Sequence, residues 1–172
     1  RAGSDAPAGR TAVRIDPGRS FGSGSHQSTR LAIALVEAVL AEHHPSGSSS
    51  GPAAAISLLD VGCGSGVLAI AALALGATSA RAIDVDPEAV RATAANAADN
   101  GVAGRVEVDG TPLELVEGTY DLVVANILAP VLVDLAPHLV ERVEEGGHVV
   151  VAGFLEDQEA SVVAALGRAA ER

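Results

Sequence analysis

Leu58-Leu59-Asp60-Val61-Gly62-Cys63-Gly64-Ser65-Gly66-Val67-Leu68-Ala69-Ile70 reads as a short apolar strand, a glycine-rich turn and the first turn of a helix. Glycines at 62, 64 and 66 let the backbone bend tightly and approach a bound ligand where a Cβ would clash. The helix that follows aims its amide N–H groups and the positive end of its dipole at that ligand. The spacing is GxGxG, and the position where a GxGxxG turn has its third glycine is Val67. By itself the turn leaves the ligand open.

Working outward, strand and helix patterns alternate. Upstream, Ser28 or Thr29 is expected to cap a helix running to about His43, with Leu31, Leu35, Ala38 and Val39 on one face. Pro45 to Pro52 reads as a flexible surface connection within one domain. Strand Ile56 to Val61 then leads to helix Val67 to Leu75, ended by Gly76, and strand Arg81 to Val85 to a helix beginning at Pro87. That helix stops at Asn100-Gly101, and strands Arg105 to Val108 and Asp121 to Ala125 follow. A helix from Pro130 runs through Leu132, Leu135 and Leu139, with Gly146-Gly147 ending the segment. Strand His148 to Ala152 and a helix from Glu156 to about Ala170 complete the pattern. Such alternation implies an α/β fold, a doubly wound and mainly parallel sheet with helices on both faces. Leu122-Val123-Val124 and Val149-Val150-Val151 suit strands buried on both sides.

In such sheets ligands lie outside the carboxyl ends of the strands, so the residues there are the candidates. Asp84, about twenty residues beyond the glycine turn, is placed to accept two hydrogen bonds from a ribose diol. Asp86 reads as the cap of the helix at Pro87. Asp109 is either a partner for an adenine amino group or a surface turn acid. Asp60 either holds a cofactor ammonium, directly or through water, or acts as a charge partner for the helix N-terminus. Cys63 reads as a small filler in the turn. Asn126 ends the fourth strand beside the first, where a group acceptor would lie. Its amide oxygen and the nearby backbone carbonyls, that of Ile127 among them, are suited to hold an amine N–H and aim the nitrogen lone pair. In methyl transfer from a sulfonium the largest contribution is that orientation. The chemistry needs no metal and no covalent nucleophile.

Composition bounds the rest. The 172 residues, 48% hydrophobic, suffice for one domain with a real core. Residues 1–13 read as a flexible tail and 14–172 as the domain. No apolar run reaches the roughly 18 residues of a membrane span, so no membrane association is expected. The single cysteine suits a reducing compartment, with the cytoplasm as the default. A net charge of −11 with few aromatic residues disfavours direct nucleic-acid binding; it reads first as solubility and an Arg- and Ala-heavy composition, and otherwise as suiting a basic protein or an amine.

Four stretches occur together and in order: Asp16-Pro17-Gly18-Arg19-Ser20-Phe21-Gly22-Ser23-Gly24-Ser25-His26-Gln27-Ser28-Thr29, Asp60 to Gly66, Ile83-Asp84-Val85-Asp86-Pro87, and Ala125-Asn126-Ile127-Leu128-Ala129. Over residues 14 to about 160 the chain resembles the PrmA-type methyltransferase family, which methylates amino groups of large-subunit ribosomal protein L-eleven. The resemblance implies a Rossmann-like class I methyltransferase fold binding S-adenosylmethionine, with Thr29, Gly62, Asp84 and Asn126 contacting it; the reading of the turn adds Gly64 and Gly66 at the cofactor. It also implies that Phe21 and His26 line a loop over the methyl donor, with His26 a positional residue or proton acceptor. Ser23 and Gln27-Ser28 depart mildly from the family loop, which commonly has Thr and Pro-Thr there. The family's substrate-docking N-terminal domain and its last antiparallel strand pair have no counterpart in this sequence. The leading expectation is therefore a protein N-methyltransferase acting on a ribosomal protein. The alternatives are an N-methyltransferase of a small amine or modified peptide, or a non-catalytic cofactor-binding fragment. An NAD-dependent oxidoreductase is disfavoured by Val67 and Asn126-Ile127-Leu128.

Overall fold

The computed structural model describes residues 11–16, 26–43 and 55–171. The expected connection 45–52 and residues 1–10 of the expected tail lie outside that range. Within it, five strands form one sheet: β1 (Ser57–Val61), β2 (Ser79–Ile83), β3 (Val106–Asp109), β4 (Tyr120–Asn126) and β5 (Val143–Ala152). Their order is β3-β2-β1-β4-β5 and every pairing is parallel. The helices are α1 (Gln27–His43), α2 (Val67–Leu75), α3 (Pro87–Asp99), α4 (Ala129–Glu141) and α5 (Glu159–Ala170).

Alternation along the strands divides the core into two layers. Leu58, Ala82, Leu122 and Val124 pack with α1, α2 and α3, whereas Leu59, Val61, Val123 and Ala125 pack with α4 and α5. Leu58, Leu59, Leu122 and Val123 are fully buried, and each contributes roughly 1.5–3 kcal/mol of transfer free energy. Val13 and Ile15 pack half-buried against the first layer.

Several local expectations are corrected. In α1 the buried stripe is Thr29, Ala32, Val36 and Leu40, while Leu31 and Leu35 are 57% and 51% exposed and Ala38 is exposed. The helix is apolar nearly all round, and packing on α2 and β5 selects the stripe rotated from the expected one. Neither Ser28 nor Thr29 caps it; His26 stands before the first turn and its Nδ1 accepts from the Ser28 amide at 3.3 Å. Strand β2 ends at Ile83, two residues early, because the Ile83 carbonyl accepts from the amides of Gly62 and Cys63 at 2.9 and 3.1 Å. Gly146-Gly147 lies inside β5, which starts at Val143. The β4–β5 register is irregular there, and a Cβ on Gly147 would stand 2.8 Å from the Asp121 carbonyl oxygen. A short 3-10 turn, Glu156–Gln158, precedes α5.

The strand order reverses between β1 and β4, so the crevice at their carboxyl ends is the place for a ligand.

Candidate active site

Three glycines make the floor of that crevice. Gly62, Gly64 and Gly66 have φ of 71°, 56° and 77°, a region that side chains rarely enter. Two of them also sit where there is no room: a Cβ on Gly62 would lie 2.5 Å from Ile127 Cγ2, and one on Gly66 2.6 Å from Thr93 Cγ2. The turn is thus pressed between the start of α4 and the face of α3.

Asp84 closes one side. Its Oδ2 accepts from Gly64 N at 3.0 Å and its Oδ1 from Asp86 N at 2.9 Å. A carboxylate oxygen has a second lone pair, so both remain able to accept from a diol. Asp86 caps α3 as expected, its side chain accepting from the Glu88 amide at 2.8 Å. Next to Asp84 lies a cavity of about 160 Å³ with Val61, Ile83, Val85, Leu113 and Ile127 among its walls. A largely apolar slot with the carboxylates of Asp84 and Glu114 at its edge suits a flat ring joined to a sugar.

On the other side, Asn126 and Thr29 meet although they are 97 residues apart in sequence. Asn126 Nδ2 donates to Thr29 Oγ1 at 3.2 Å, and Thr29 is 2% exposed, so the amide is oriented by a fixed partner. The bond uses the nitrogen, and Oδ1 is the acceptor of the carboxamide. Ile127 donates its amide to the Ala152 carbonyl at 3.1 Å, which fixes its own carbonyl beside Gly153. A Cβ on Gly153 would lie 2.6 Å from Ile127 O and 3.0 Å from Asn126 Oδ1. Glycine at 153 therefore keeps a side chain from pressing on these two acceptor oxygens, which both stand beside it.

The remaining candidates separate. Asp60 is 1% exposed and accepts from Ala69 N, in the first turn of α2, at 3.1 Å. Burial pushes its carboxyl up to about 7, with the Ala69 bond opposing and the charge on Asp84 adding. This geometry is that of a partner for the helix N-terminus. Asp109 forms an ion pair with Arg81 at 3.0 Å and accepts from Thr111 N at 2.7 Å. Partial burial raises its carboxyl, but the two Thr111 bonds and Arg81 prevail and hold it below the ordinary value. His26 Nδ1 stands 2.8 Å from Ser28 Oγ, a local contact at the helix start. Phe21 lies outside the described residues. Burial and the charges on Asp60 and Asp84 raise the Cys63 thiol above its usual range, so it stays protonated and is no nucleophile.

Thr93 and Asn96 on α3 were not legible as site residues. Thr93 Oγ1 donates to Gly64 O at 3.1 Å and Asn96 Nδ2 to Ser65 O at 2.9 Å, so both hold the turn. The available signal is two polar residues within the stripe Ala89, Thr93, Asn96, Ala97 of an otherwise alanine-rich helix.

The profile of a family described as ribosomal protein L11 methyltransferase (PrmA) matches residues 3–171. A ribosomal protein L11 methyltransferase of Pelobacter propionicus is 43% identical over 147 residues, 86% of this chain and 45% of that protein. One of Myxococcus xanthus is 46% identical over 162 residues, 94% of this chain and 52% of that protein. The chain thus spans about half the length of the curated relatives it matches. The crystal structure of a ribosomal protein L11 methylase from Lactobacillus delbrueckii subsp. bulgaricus superposes with a TM-score of 0.76 at 38% identity, covering 91% of this chain and 74% of that one. An RNA methyltransferase of Salinibacter ruber, solved with S-adenosyl-L-homocysteine, gives 0.55 at 28% identity, covering 71% and 76%.

Proposed function

The chain belongs to the ribosomal protein L11 methyltransferase (PrmA) family, and from that premise we propose that it is the S-adenosylmethionine-binding core of a protein N-methyltransferase. The proposed substrate is an amino group of a ribosomal protein, L11 as in the names of its relatives. The observation that carries this reading is the pair of acceptors, Asn126 Oδ1 and Ile127 O, that stand together beside Gly153 at the carboxyl end of β4 next to the glycine turn.

S-adenosylmethionine, when bound, supplies a methyl carbon on a sulfonium. The residues present fit it: the positive-φ glycines shape a tight turn at the carboxyl end of β1, Asp84 retains acceptor capacity for a ribose diol, and Ile83, Val85, Leu113 and Ile127 offer apolar walls for a purine. Two acceptors hold two N–H groups of a neutral amine, which leaves its lone pair as the one unbonded direction. The binding of the amine and the aim of its lone pair thus come from the same contacts. Acidic side chains follow the strands at this edge: Asp84 and Asp86 after β2, Glu114 after β3, and Glu156 and Asp157 after β5. Such a rim attracts a lysine-bearing or amino-terminal segment and raises its encounter rate.

The test is transfer of a labelled methyl group from S-adenosylmethionine to ribosomal protein L11 by the parent chain and by Asn126→Ala. The parent is expected to label the protein, and Asn126→Ala to fall at least about tenfold from loss of one positioned hydrogen bond. Labelling of small amines in preference to the protein would shift the reading to a small-amine enzyme. Cofactor binding with no transfer to any acceptor would make the chain a binding module.

A further inference from the structure

Helix α3 carries a buried amide that serves two distant stretches of main chain. Asn96 is 2% exposed. Its Nδ2 donates to Ser65 O in the glycine turn at 2.9 Å and to Asp16 O at 3.0 Å, while its Oδ1 accepts from Asp16 N at 2.9 Å. Both amide hydrogens therefore have a partner. Along the same face Thr93 donates to Gly64 O, and Asn100 grips the other segment twice. Asn100 Oδ1 accepts from Arg14 N at 2.9 Å and its Nδ2 donates to Arg14 O at 2.7 Å. Positions 93, 96 and 100 follow helical spacing, so one row holds the turn at one end and residues 14–16 at the other. Asn96 is the member of that row that touches both.

The consequence follows from peptide planarity. Holding the Ser65 carbonyl fixes the whole Ser65–Gly66 peptide plane, including the Gly66 amide at the entry to α2. With Gly66 at φ 77° and against Thr93, that plane has few alternatives while the bond persists. Without it, the buried Ser65 carbonyl loses this donor, the Gly66 N to Cys63 O bond at 2.8 Å holds the plane less firmly than the two bonds together, and the turn regains freedom that a ligand must then remove.

We propose that Asn96 is a positioning residue for the cofactor: it braces the peptide plane after Ser65 and ties the glycine turn to the Arg14–Asp16 segment. The proposal rests on the reading of that turn as the S-adenosylmethionine site. The effect on affinity is an effect of pre-organisation, since Asn96 reaches the ligand only through main chain.

The experiment compares the full chain with Asn96→Ala, Asn96→Asp and Asn100→Ala in two measurements: calorimetric affinity for S-adenosylhomocysteine, and amide exchange of residues 62–70 in the ligand-free proteins. Asn100→Ala removes bonds of the same kind from the same segment and none from the turn. Asn96→Ala is expected to weaken binding about tenfold and to speed exchange in the turn, and Asn96→Asp, which keeps the shape but lacks the donor, to do the same. Asn100→Ala is expected to stay within about twofold of the parent. Should Asn96→Ala not fold, Asn96→Asp carries the test. Unchanged affinity and exchange in the Asn96 variants would overturn the proposal, as would an equal loss in Asn100→Ala, which would mean general loosening. A parent that binds nothing would refute the cofactor reading instead, and the exchange measurement would still decide whether Asn96 holds the turn.

Discussion

Replacing Gly62 by alanine imposes two separable penalties. The backbone there has φ +71°, which disfavours an L side chain by about 1–2 kcal/mol. The new Cβ would also stand 2.5 Å from Ile127 Cγ2, whereas carbon atoms rest at about 3.5–4.0 Å. Ile127 must then retreat by about 1 Å against β5 and the cavity wall, at about 1–3 kcal/mol for an overpacked site. The total of about 2–5 kcal/mol corresponds to a fall in unfolding midpoint of about 5–15 °C for a domain of this size. Gly118 gives the first penalty alone, because its φ is +83° and nothing lies within 4 Å of a Cβ there. Gly118→Ala should therefore lose only about 1–2 kcal/mol. Ile127→Ala removes Cγ2, so the double variant Gly62→Ala/Ile127→Ala should be more stable than the sum of the singles by about 1–3 kcal/mol. Urea unfolding followed by far-UV circular dichroism suits a chain with one Tyr and no Trp. Additivity within about 0.5 kcal/mol, or a Gly62→Ala no worse than Gly118→Ala, would refute the reasoning.

Two further outcomes follow from the same geometry. The Asp60 carboxyl titrates near 7 in the fold against 3.8 ordinarily, so the folded state keeps a proton that the unfolded chain releases. Its contribution is complete below about pH 4 and is lost as the pH rises to about 7. Asp60→Asn, neutral throughout and still able to accept from Ala69 N, should gain stability over the parent by about 2–4 kcal/mol between pH 4 and pH 8. Parallel melting-temperature profiles for the two proteins would contradict this. At Gly153, alanine would crowd Ile127 O and Asn126 Oδ1, so Gly153→Ala should lower kcat at least about tenfold while the Kd for S-adenosylhomocysteine changes less than about threefold. Equal losses in both measurements would count against an acceptor role for those oxygens.

The sheet was readable because buried parallel strands are short apolar runs bounded by glycine, proline and acidic residues, and the glycine turn because its geometry admits little else. The ends of β2 and β5 were not, since hydrogen bonds to the turn and a local register irregularity decide them, and neither leaves a mark in residue type. In α1 the sequence offers two apolar stripes, and only the neighbours choose between them. Asp84 and Asn126 were legible from their place after strands. The resemblance put both Asn126 and Thr29 at the cofactor, but their hydrogen bond was not legible, because nothing local joins residues so far apart. Thr93 and Asn96 escaped notice for the opposite reason: their role is set by main-chain carbonyls of the turn, which carry no sequence signal. Asp60 and Asp109 look alike in sequence, and their burial and partners distinguish them.

The central claim is that Gly62–Gly66 and Asp84 hold S-adenosylmethionine. Calorimetric titration of the parent chain and of Asp84→Ala with S-adenosylhomocysteine tests it most directly. The parent should bind saturably with one site per chain. Asp84→Ala, which loses the acceptor for the ligand and the brace on Gly64 N, should bind about 10–100-fold more weakly. No heat of binding to the parent, or equal affinity in the two proteins, would contradict it.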